Sequence, residues 1–156
     1  MFNTMFIGNN VKVEIADAPV GGGQATSFTV VENVSAFPAA AGAETNMVSV
    51  NVFGEQYAKK LPGSRNVPDL TLSVFWRPGA VGQEMLAAAA ASNKLVQVKV
   101  TYYQNIADPT GPAYYSIVNG YASSDAISGD FDGAVTRDFV ISVTGAPVAA
   151  GEVTGE

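Results

Sequence analysis

The stretch Leu70 to Asn93, LTLSVFWRPGAVGQEMLAAAAASN, decides the reading of the fold. Leu70, Leu72, Val74 and Trp76 recur at period two, the mark of one face of a half-buried strand. Arg77-Pro78-Gly79 ends that strand, because proline gives no donor to a ladder and glycine tolerates a sharp turn. Ala80 to Ala91 follows with strong helix propensity, the one convincing helix in the chain. Within it Met85, Leu86, Ala89 and Ala90 fall at helical spacing, which predicts a short amphipathic lid on a core. Small side chains also let a second backbone approach closely. Met85, Ala89 and Ala90 are therefore candidates for a joint between subunits as well.

Upstream of this element, Met1 to Asn10 reads as a short arm whose Phe2, Met5, Phe6 and Ile7 need an apolar partner. Val11, Val13 and Ile15 alternate with Lys12 and Glu14 as a half-buried strand. A Pro- and Gly-rich turn over Asp17 to Gln24 leads to a strand over Phe28 to Val34. Val48, Val50 and Val52 mark another, and these two are expected to pair as a hairpin. Residues 54–69 read as a long connection carrying Tyr57, Lys59, Lys60, Leu61, Arg65 and two prolines. Connections that long inside a compact domain are uncommon and are often ordered by a partner.

Downstream, strands are expected over Leu95 to Gln104, Ala113 to Ser124 and Val135 to Thr144, with Gly120 a possible bulge. An acidic, Gly-rich loop over Asp125 to Gly133 separates the last two, and a tail of small residues closes the chain over 145–156. The expectation is mainly β: a single domain, a sandwich or barrel of about seven strands with one flanking helix. At 156 residues such a domain buries roughly 68–70% of its unfolded surface.

Composition narrows the chemistry. The chain has no cysteine and no histidine, so neither a thiolate site nor a Ser-His-Asp or Cys-His set can form. Gly21-Gly22-Gly23 lacks the lysine and hydroxyl residue of a phosphate loop. Asp125, Asp130 and Asp132 invite a calcium reading, but their order does not follow the Asp-x-Asp-x-Asp-Gly loop and no bidentate glutamate follows. Asp130 and Asp132 would share a strand face, yet nothing supplies the raised pKa or cleft that glycoside chemistry needs. No enzymatic activity, cofactor or metal is expected. No apolar run approaches the ~20 residues of a membrane span, and MFNTMFIG lacks a basic n-region.

The net charge of −6 is unevenly placed. Residues 1–104 are balanced. Asp108, Asp125, Asp130, Asp132, Asp138, Glu152 and Glu156 stand against Arg137 alone in the rest. Tight nucleic-acid binding needs a basic stripe, which is the opposite pattern.

Several motifs fall in a familiar order. Val48 to Val52 is followed by Tyr57, Lys60-Leu61-Pro62-Gly63, Asp69 and Thr71-Leu72-Ser73-Val74. Pro78-Gly79, Gly82-Gln83 and Leu86 come next, then Tyr102, Gly120-Tyr121, Thr136-Arg137 to Val143-Thr144, and Gly145-Ala146-Pro147. Over about two thirds of its length the chain resembles the major tail tube proteins of long-tailed, non-contractile bacteriophages. It departs at Ser64-Arg65-Asn66, where an apolar residue and an acid would be expected.

The resemblance implies a structural virion protein whose homo-hexameric rings stack into a hollow tail tube for genome ejection. It implies tail tip, tail terminator and tape measure proteins as partners, DNA passing through the lumen without specific binding, and no membrane insertion. It also implies that the arms and the 54–69 loop bridge to neighbours. The separation of charge then makes Tyr57, Lys59, Lys60 and Arg65 candidates for a contact between rings. Asp125, Asp130 and Asp132 become candidates for the lumen or another acidic surface. The competing expectation is a ligand- or carbohydrate-binding β-sandwich module using Tyr102, Tyr103, Tyr114, Tyr115 and Tyr121. A secretion-system tube ring is a related alternative.

Overall fold

The computed structural model describes residues 10–36, 43–105, 107, 108 and 110–153. The N-terminal arm expected over 1–10 lies, but for Asn10, outside the described residues. In chain order the elements are β1 (Val11–Asp17), β2 (Thr29–Val30), β3 (Glu44–Val50), β4 (Lys59–Asn66) and β5 (Leu70–Phe75). There follow α1 (Val81–Ser92), β6 (Leu95–Tyr103), β7 (Ala113–Ser128), β8 (Thr136–Val143) and β9 (Ala149–Val153).

The main sheet is antiparallel throughout, in the order β2-β1-β6-β7-β8-β5, with β9 also paired to β7. Its two ends meet. The chain leaving β2 donates from Val31 N–H to the Val13 carbonyl (2.9 Å), then crosses to β5. There Ser35 N–H donates to Ser73 O (2.9 Å), Phe75 N–H donates to Asn33 O (2.8 Å), and Val34 bridges Val74. Asn33 makes the crossing at φ 60, a left-handed conformation that asparagine tolerates better than most residues. One short segment thus closes the sheet into a small barrel and leaves few strand edges open.

The alternation read from the sequence sets the barrel's interior. Val13, Ile15, Val96, Val98, Val100, Leu70, Leu72, Val74, Phe139 and Ile141 are all buried in one core. α1 packs mainly on β7 and also touches β1 and β2, and its Leu86 and Ala89 join that core. A Cβ on Gly82 would lie 2.8 Å from the Val31 Cα, so the helix can seat against the closing segment only with glycine there. The fully buried Gln83 fastens the same joint. Its amide donates to the carbonyls of Glu32 (3.1 Å) and Phe75 (3.0 Å), and its Oε1 accepts from Arg77 N–H (3.0 Å).

Four expectations need correction. The strand at Val48–Val52 does not pair with the one at Phe28–Val34; β3 pairs with β4 instead, in a separate two-stranded sheet. Residues 54–69 are accordingly no plain loop, since they contain β4. Pro62 concealed it, because proline suits only an edge of a sheet and reads as a loop residue. The 145–156 tail contains β9, which continues the line of β8 along the same edge of β7. Finally, the ladder irregularity in β7 falls between Ala122 and Ser124 rather than at Gly120. Gly120 instead lets β8 come close, its Cβ position lying 2.8 Å from Ser142 O.

Candidate assembly surfaces

Two parts of the chain project from the barrel. The first is the β3–β4 hairpin. Val48 sits opposite Leu61 and Val50 opposite Lys59, while Met47 sits opposite Pro62 and Ser49 opposite Lys60. Cross-strand partners share a face, so Val48, Val50 and Leu61 form one apolar row. Gly54, at φ 91, turns the chain, and Glu55 N–H donates to Val52 O (3.2 Å). Nearer the base, the Asn46 amide donates to Ser64 Oγ (3.1 Å).

Every residue of β3 and β4 is exposed. Met47, Val48, Val50, Val52, Phe53, Tyr57 and Leu61 are all large apolar or aromatic side chains open to water. A lone two-stranded hairpin is marginally stable at best, and contiguous exposed apolar surface marks an interaction site. Of the bases expected to make a contact between rings, Lys59 pairs with Glu55 at 3.2 Å, four residues away on a surface where such pairs contribute little. Lys60 and Arg65 have no ion pair among the described residues. Arg65 and Asn66, at the hairpin base, line an open cleft of about 430 Å³ with Ala43, Val67 and Gly145-Ala146-Pro147. The cleft holds no aromatic ring and no acid–base pair.

The second projection is the turn between β7 and β8. β7 runs on to Ser128, so Asp125 belongs to a strand and not to the acidic loop. The Arg137 guanidinium holds it with two parallel bonds of 2.7 Å, Nε to Oδ1 and Nη2 to Oδ2. This pairing raises the Arg137 pKa above its ordinary value, through the hydrogen bond first and charge second, against an opposing effect of burial. The same guanidinium lies 5.2 Å from the centre of the Phe139 ring. Asp125 is thus an internal fastening of the long hairpin, whereas Asp130 and Asp132 lie in the turn and are exposed. Between them Phe131 is fully exposed, and Phe75, Trp76, Ile127 and Val135 are exposed nearby. Trp76 N–H donates to Val135 O (2.9 Å), which ties the end of β5 to this turn.

The helix candidates divide. Ala89 is 3% exposed and is taken up by the chain's own core. Met85 and Ala90 pack partly against that core. Of the tyrosines, Tyr102 and Tyr114 pair across strands on one face of the sheet, while Tyr103, Tyr115 and Tyr121 fall on the other. Lys99 sits 5.4 Å from the ring centres of both Phe28 and Tyr115. Tyr121 is six residues along the strand from Tyr115, about 20 Å away. The tyrosines do not form one platform. Among the described residues no three acids gather as a metal site, and no helix is long and apolar enough to cross a membrane.

Sequence reasoning missed the apolar turn at Phe131 and Trp76. Phe131 stands alone between two acids, and Trp76 read as the last residue of a buried face. A large aromatic inside an Asp-x-Asp turn was the available signal.

The sequence matches no protein-family model and no curated protein. The fold does match solved structures. A chain of the SPP1 tail tube, from a hybrid solid-state NMR and cryo-EM structure, aligns with a TM-score of 0.65 at 16% identity. It covers 97% of this chain and 80% of that one. A chain of the anti-feeding prophage baseplate, six-fold symmetrised, aligns at 0.68 with 8% identity over 99% of both. A chain from the tail of an empty gene transfer agent particle, refined helically with C6 symmetry, aligns at 0.64 with 14% identity, covering 90% of this chain and 96% of that one. The tail-tube-like fold expected from the sequence is the fold found.

Proposed function

We propose that this chain is the structural subunit of a phage tail tube, which assembles six copies into a ring and stacks rings around a bore for the genome. The observation that carries this reading is the β3–β4 hairpin. An entire pair of strands stands in water with its apolar row uncovered, on a fold shared with chains from tail tubes and six-fold assemblies. Such a hairpin gains its stability where a neighbour covers it. The protein acts by burial of surface and strand pairing between subunits, not by catalysis, and its place is the tail of the virion.

On this reading Tyr57, Lys59, Lys60 and Arg65 work between rings, and Met85 and Ala90 are the helix positions still open to a neighbour. The further partners are tail tip, tail terminator and tape measure proteins. The acidic excess suits a bore through which DNA slides, because like charge repels phosphate and prevents binding.

Electron microscopy of the purified protein tests the proposal. Long hollow filaments with six-fold rings are expected. Isolated rings would favour a secretion-system tube ring, and stable monomers that bind a glycan would refute the tube.

A further inference from the structure

No further inference is drawn: the strongest candidate, the exposed apolar patch of Phe75, Trp76, Ile127, Phe131 and Val135 where the end of β5 meets the β7–β8 turn, is an unpartnered face, and nothing in the structure shows what covers it.

Discussion

β6 and β3 carry the same signature and meet opposite fates. Val96, Val98 and Val100 alternate with polar residues and are buried to within 2% of completely. Val48 and Val50 alternate just as regularly and are 53% and 38% exposed. The difference is neighbourhood. β6 lies between β1 and β7 under α1's core, whereas β3 has β4 alone. Period-two apolar residues report that a face is to be covered; they do not report which chain covers it. A barrel that is complete and a hairpin that is not should respond to substitution in opposite ways.

The largest effect should come from Ala89→Glu. It forces a carboxylate into a position that the apolar core takes up, and helix and barrel are expected to come apart. Loss of the folded signal by circular dichroism checks this. A folded variant that merely fails to assemble would return Ala89 to a joint between subunits. Next comes Gln83→Ala, which strands two carbonyls and an N–H at the place where the barrel closes. A loss of about 2–3 kcal/mol is expected in urea unfolding, because buried groups left unpaired carry their full desolvation penalty. A loss below about 0.5 kcal/mol would mean that the closing segment does not depend on this residue.

On the hairpin the direction reverses. Val48→Ser with Leu61→Ser should leave monomer stability within about 0.5 kcal/mol, since both side chains are already in water. Assembly should fail all the same, as judged by filament yield. The smallest effect is a pH dependence in the barrel. Lys12 donates to Glu14 at 2.7 Å, and this hydrogen bond raises the lysine pKa above its ordinary value against partial desolvation. A raised folded-state pKa contributes stability that is fully present below the unfolded value of 10.5 and is lost as pH rises through the folded one. Lys12→Met should abolish that alkaline loss. The Lys12 side chain is 37% exposed, so screening limits the effect to roughly 0.5 kcal/mol or less. Equal alkaline melting of the two proteins would show the pair to be without consequence.

The barrel was legible because its signals are local. Leu70 to Asn93 declared a strand, a break and a helix, and all three are present with the helix one residue shifted at each end. Register and closure were not legible. That β2 and the segment leaving it would reach β1 and then β5 depends on Asn33 bending at one point, and no periodicity carries that information. Gln83 read as a polar residue on a helix, although its environment makes it the most heavily bonded side chain at the joint. β4 was hidden because Lys59-Lys60-Leu61-Pro62-Gly63 has neither alternation nor strand propensity. At the candidate surfaces the sequence separated basic loop from acidic third, but Asp125 proved to be an internal partner of Arg137. Charge counts do not distinguish a paired carboxylate from a free one.

Hydrogen exchange, read residue by residue in the monomer and in assembled filaments, tests the division into finished barrel and unfinished hairpin most directly. Amides of β1, β6, β7 and β8 should be protected in both states. Amides of β3 and β4 should exchange close to unstructured rates in the monomer and become protected on assembly. A hairpin as protected as the barrel in the monomer, or one still exchanging freely in the filament, would contradict the account.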